Sequence, residues 1–221
     1  MSPAIISEPH EKKPLKLSEW DEYDFIDHEE GILSHVIIRD FGPNSSIMKF
    51  TLAMNKDKTE GVLVVELMDA ESIVISCVGN VKFRILLDDN FGELKGGAQI
   101  ESVYIDANYR GMGIAIAAYE QILAQFNIIS DTHQTIDGAV FWKFKLVTQA
   151  HIDVRVFQDF PHSPVAMTDE GGEDEIYTID KSHLEPLIWG AEGDVDPDVD
   201  SITYGYNIGQ DKVVLVAKRR I

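Results

Sequence analysis

Residues 100–118 read IESVYIDANYRGMGIAIAA, and the order of their parts decides how the chain is read. Val103, Tyr104 and Ile105 form a strand-like apolar segment, and Asp106 to Arg110 make a short polar turn. Two glycines then flank one residue, Gly111-Met112-Gly113, and Ile114-Ala115-Ile116-Ala117-Ala118 opens a helix. A strand, a glycine turn and a helix start together make an anion site. The first backbone N–H groups of a helix lack intrahelical acceptors, and the helix dipole adds partial positive charge at that end. Glycine removes the Cβ that would hold a phosphate away from the backbone. Arg110 supplies a permanently charged guanidinium. The stretch is read as the binding place of a phosphorylated molecule.

Two well-known phosphate sites fit poorly. A P-loop needs GxxxxGK followed by Ser or Thr, and that string is absent. A dinucleotide fingerprint gains some support from Asp131, which lies at a suitable distance for a ribose contact. Its third glycine position, however, falls on Ile116, where close helix–strand packing calls for Gly or Ala. The strand also ends near Ile105, and five residues intervene before Gly111.

The pattern instead resembles the GNAT superfamily of N-acetyltransferases, whose acetyl-CoA loop reads Gln/Arg-x-x-Gly-x-Gly/Ala and opens a helix. The matching residues are Asn108-Tyr109-Arg110-Gly111-Met112-Gly113, followed by Ile114 and Ala115. Asn108 departs from the pattern at its first position. Ile128-Ile129-Ser130-Asp131 and TIDGAVFWKF (135–144) look like the next strand and helix, most like phage-encoded members of the group. The resemblance covers residues 99–146.

It implies an α+β fold, a mixed and mostly antiparallel sheet flanked by a few helices, with acetyl-CoA as cofactor and an amine as acceptor. It implies further that a backbone N–H of Val103, Tyr104 or Ile105 holds the thioester carbonyl, and that the amides of Arg110, Gly111, Met112, Gly113 and Ile114 hold the pyrophosphate. Glu101, on the same strand, is the preferred general base. Family members place an acidic Tyr on the following helix, and here the matching residue is Trp142. An indole N–H donates a hydrogen bond but does not titrate, so Trp142 is read as packing along the pantetheine arm or as core. Tyr119 and Tyr104 are the substitutes for the acid. A GNAT-fold protein without turnover, used for binding, is the alternative reading.

Composition sets the frame. The 221 residues suffice for one domain with appendages, and 44% hydrophobic residues suit a globular chain. A formal charge of −19 opposes nonspecific binding to nucleic acid or anionic membranes; it reads as a solvated, self-repelling surface that favours solubility, with a basic acceptor or partner as the functional alternative. The single cysteine, Cys77, excludes an internal disulfide and lies in an apolar run without a cation to activate it. The N-terminus lacks the apolar core of a signal peptide, and no stretch is long enough to span a membrane, so the expectation is a cytoplasmic protein.

Residues 1–14 read as a mobile tail, and 15–221 as one domain. Residues 20–30 (WDEYDFIDHEE) fit a short helix or an extended arm. The N-terminal half is β-rich, with strands expected at Leu33 to Arg39, Ile47 to Met54, Val62 to Met68, Ile73 to Val78 and Val81 to Leu87. Gly79-Asn80 is read as a tight hairpin turn. The two helices that GNAT proteins place between their first strands are not found. Gly111 to Phe126 reads as a helix with Ala117, Glu120, Gln121, Ala124 and Gln125 on its wet face. Thr135 to Thr148 fits a buried strand by composition, and the resemblance favours a helix. His151 to Phe157 alternates as a strand, and Ser201 to Asn207 with Val213 to Lys218 reads as a closing hairpin.

Asp194, Asp196, Asp198 and Asp200 suggest calcium, but Val199 and Gly205 stand where an EF-hand needs Gly and Glu, so the run is read as an acidic loop. The stretch Asp169 to Glu175 is read likewise. Seven histidines occur without zinc spacing, and His133 is weighed as a loop residue against a catalytic part.

Overall fold

The computed structural model describes residues 31–131, 136–189 and 212–220. The expectations for the tail, residues 20–30, His133, the acidic run 194–200 and the strand 201–207 lie outside them. The fold is α+β, built of antiparallel strands and, among the described residues, three α-helices with shorter 3-10 and π turns. Two compact units form, each from separated stretches: 31–85 with 98–126, and 86–97 with 127–131, 136–189 and 212–220.

The first unit is a five-stranded antiparallel sheet in sequence order. Its strands are β1 (Ile32–Phe41), β2 (Ser46–Met54), β3 (Glu60–Met68), β4 (Val74–Ile85) and β5 (Ala98–Ile105), followed by helix α1 (Ile114–Leu123). The β-rich N-terminal half is therefore present, and residues 42–45 join β1 to β2 by a turn rather than by helices. Asn55 closes the β2–β3 turn, its Oδ1 accepting from Thr59 N at 2.8 Å and from Glu60 N at 3.1 Å. Met48, Phe50, Leu52, Leu63, Val65, Val81 and Phe83 line one sheet face and are all buried. The end of α1 packs on that face, where Phe126 meets Phe83 with ring centroids 5.9 Å apart.

The expected Gly79-Asn80 hairpin does not form, and the two strands assigned around it are one continuous β4. Gly79 pairs with Val65 on one side and Ile105 on the other. A Cβ there would lie 2.7 Å from Ile105 Cδ1 and 2.8 Å from Tyr104 O. Glycine serves close approach between strands here, not a turn. The wet face of α1 also needs one correction, because Ala117 is buried. Its small side chain tolerates either environment, so spacing alone misassigned it.

The second unit pairs β6 (Ile128–Ile129), β9 (Val214–Arg219), β7 (Ile152–Gln158) and β8 (Val165–Ala166) in that antiparallel order. Both edges of β9 are taken, by β6 and β7. Leu86, Leu94, Ile129, Phe157, Phe160, Val214 and Val216 form the core of this unit. The stretch 136–146 is helical, as the resemblance implied against its strand-like composition: α2 (Ile136–Phe141) runs into a π-helical turn at Trp142–Leu146. Helix α3 (Glu185–Trp189) follows later in the chain. Among the described residues, no helix is long and apolar enough to cross a membrane.

Candidate functional site

The glycine turn is built from β5 outward. Asp106 N donates to Val78 O on β4 at 2.8 Å. Backbone groups alternate sides along a strand, so Tyr104 N–H also points toward β4, and those of Val103 and Ile105 point to the opposite edge. Arg110 Nε donates to Ile105 O at 3.1 Å, which fixes the exposed guanidinium at that same edge. Of the three strand residues, Val103 and Ile105 therefore share an edge with the cation and Tyr104 does not.

Between strand and helix, a 3-10 turn spans Ala107–Tyr109. Asp106 Oδ1 caps it, accepting from Asn108 N at 2.9 Å and Asn108 Nδ2 at 3.1 Å. The departure at position 108 thus stabilises the turn. Gly111 and Gly113 hold φ of 76° and 87°, a left-handed backbone that side-chain-bearing residues rarely adopt, and added Cβ atoms would meet open space at both. Met112 packs on Gly42 of the β1–β2 turn, and Ile114 is buried, so the loop is anchored on both sides of Gly113. Gly113 is the N-cap of α1 and provides no side-chain capping bond. Helices usually begin on Ser, Thr, Asp or Asn, whose oxygen satisfies an N–H of the first turn. Here Gly113 offers them no side-chain acceptor.

Glu101 lies upstream on β5. The β4–β5 register shifts between Lys82 and Phe83, pairing Ser102 with Lys82 and Ile100 with Phe83, so Glu101 is the extra residue of a β-bulge. It is exposed. A bulge re-aims the side chain it carries. Tyr119 has the opposite setting, at 2% exposure in the core of α1. Trp142 belongs to the second unit, where it is buried and its carbonyl accepts from Val147 N at 3.2 Å, an i to i+5 bond of the π turn. The structure therefore gathers Val103, Tyr104, Ile105 and Arg110 to Ile114 with Glu101 in one segment of one unit. Tyr119 is in that unit's core.

The second unit holds a polar network that the sequence did not announce. Lys143 Nζ lies 2.5 Å from Glu185 Oε2, Tyr177 OH donates to Glu185 Oε1 at 2.6 Å, and Trp189 Nε1 donates to Tyr177 OH at 3.0 Å. Burial first, and the hydrogen bond to Glu185 second, raise the Tyr177 phenol well above its ordinary pKa. The one available signal was Lys143 itself, a charge inside the apolar run AVFWKFKLV that needs a partner if buried. The acidic stretch 169–175 is likewise partly internal. Glu175 is buried, 3.1 Å from Lys181 Nζ and 2.8 Å from His183 Nε2, and Asp174 pairs with Arg155. Among the described residues, no group of three His, Cys, Asp or Glu side chains is placed to hold a metal ion.

No protein-family model, curated protein or solved structure matches this chain.

Proposed function

We propose that the chain is an acetyl-CoA-dependent N-acetyltransferase of GNAT type, acting on an amine by direct transfer. The observation that supports this reading most is the start of α1 without a side-chain cap, reached through two left-handed glycines, with Arg110 of the same turn held on Ile105 O. Such a turn suits a diphosphate: backbone N–H groups at a helix start favour an anion, and a guanidinium in the same segment adds positive charge. Acetyl-CoA, when bound, supplies the acyl carbonyl and a thiolate leaving group. In this reading the outward N–H of Val103 or Ile105 stabilises charge developing on the carbonyl oxygen, as a fixed donor does in acyl transfer. Glu101 takes the proton of the attacking amine, directly or through water. The net charge of −19 suits a cationic acceptor.

A second reading is favoured by the acid that transfer would need. Tyr119 is enclosed in the core and Trp142 does not titrate, which leaves half-buried Tyr104 as the one remaining candidate named above. A chain that binds CoA without turnover fits both facts. The two readings separate in one experiment: calorimetric titration with acetyl-CoA, followed by thiol release in the presence of small amines, peptide N-termini, lysine and nucleotide amines. Release with any acceptor supports the transferase. Binding without release across all of them supports the binding protein. Absence of binding rejects both.

A further inference from the structure

In the second unit, residues 159–164 join β7 to β8, whose ends pair Phe157 with Ala166 and Gln158 with Val165. The backbone of this loop is tied down at three points. Phe160 N donates to Lys212 O at 3.0 Å, His162 N to Asp159 O at 2.9 Å, and Ser163 N to Asn90 O at 2.9 Å. Asp159 and Ser163 hold left-handed φ of 61° and 57°. A residue with a side chain keeps such a backbone only where its surroundings impose it. Phe160 is 3% exposed and stacks on Phe91, with ring centroids 5.7 Å apart.

The loop and Lys212 border an open cavity of about 330 Å³, lined by Asp159, Phe160, Pro161, His162, Ser163 and Lys212. Phe160 is its buried floor, and the four polar residues are exposed at its rim. None of those four side chains makes a hydrogen bond or an ion pair within the described fold. Other cations of this unit behave differently: Lys143, Arg155, Lys181 and Arg220 are each paired with a carboxylate. Lys212 and Asp159 line one cavity with opposite charges and do not pair with each other. An apolar floor with a few polar groups on a preset frame is how small-molecule sites are built. Such sites begin at roughly 300 Å³, so the occupant is small.

The rim defines its chemistry. The Lys212 ammonium takes an oxyanion, the Asp159 carboxylate takes an ammonium, and the His162 ring and Ser163 hydroxyl add hydrogen bonds beside them. Phe160 and Pro161 offer apolar surface to a short carbon frame. We propose that this cavity binds a small zwitterion, with a carboxylate or phosphate at one end and an amine at the other. The inference goes beyond the acyl-transfer reading. It is tested without acetyl-CoA, so either can fail alone.

The test is a thermal-shift and calorimetric survey of the full chain with glycine, β-alanine, 4-aminobutyrate and phosphoethanolamine. The first three carry a carboxylate and the last a phosphate, so the series separates the two oxyanions while varying the distance between charges. Acetate, inorganic phosphate and ethylamine, each with one kind of charge, are the controls. At least one zwitterion should raise the Tm, and no control should match it. Lys212→Gln should weaken that ligand about tenfold. Asp159→Asn should do the same, since asparagine accepts the left-handed backbone and only the charge is lost. Neither variant should change the Tm of the ligand-free protein, because neither side chain bonds within the fold. The proposal is overturned if no zwitterion raises the Tm, if a singly charged control matches the best one, or if both variants bind it as tightly as the parent. It is equally overturned if either variant lowers the ligand-free Tm by several degrees, since that side chain would then serve the fold.

Discussion

The start of α1 and the Lys143–Glu185–Tyr177–Trp189 network treat their polar groups in opposite ways. At α1 the N-cap is a glycine without a capping side chain, the turn is left-handed at two positions, and the space where side chains would sit is open. In the network each polar group is spent on another: lysine on carboxylate, phenol on carboxylate, indole on phenol. Unspent donors at a surface cost little, because water satisfies them until a ligand does. Unspent groups in a buried network are costly, so such a network is closed. The network holds two parts of a unit together, whereas the start of α1 is the place proposed above to receive a ligand.

The largest effect expected from this contrast lies in the network. Lys143→Met would leave Glu185 without its charge partner in a largely buried setting, costing about 3 kcal/mol or more by denaturant unfolding. Adding Glu185→Gln, which removes the charge and keeps an oxygen for the Tyr177 hydroxyl, should recover most of that loss. A single variant indistinguishable from the parent would mean that the network is not closed. Next comes the bulge at β5. In an active enzyme, Glu101→Gln should lower turnover about 100-fold at neutral pH. It should leave CoA affinity unchanged, since Glu101 is not among the phosphate contacts. Comparable turnover in the Gln variant would dismiss Glu101 as the base.

Smaller again is Tyr177→Phe, which removes the hydrogen bonds from the phenol to Glu185 and from Trp189 to the phenol. It should cost about 1–3 kcal/mol. The smallest effect is its pH dependence. The Tyr177 phenol holds its proton more tightly in the folded chain than in the unfolded one. Its contribution to stability is therefore complete below the ordinary tyrosine range near pH 10 and declines as pH rises above it. The parent should lose stability faster than Tyr177→Phe between about pH 9 and 11. Parallel Tm profiles for the two proteins over that range would contradict the assignment.

How much of this was legible in the sequence follows from how local each feature is. The order of β5, the turn and α1 depends on neighbours within one short stretch, and glycine and helix-start signals carry it. Gly79-Asn80 shows the limit of such signals. A glycine that admits Ile105 and one that turns a hairpin look alike until the register of β4 is known. The bulge at Glu101 is invisible for the same reason: an extra residue exists only relative to its partner strand. Lys143 and Glu185 pair across 42 positions, and Tyr177 and Glu185 across 8. No periodicity links such residues.

The central claim is that the Gly111-Met112-Gly113 turn holds the diphosphate of CoA. Its most direct test is calorimetric titration of acetyl-CoA into the parent chain and into Gly113→Glu, with circular dichroism confirming that the variant is folded. The substitution puts a carboxylate and a Cβ into the open space at φ 87°. The expected result is micromolar binding by the parent, on the order of −8 kcal/mol, and none by the variant. Equal affinity in a folded Gly113→Glu chain would contradict the claim.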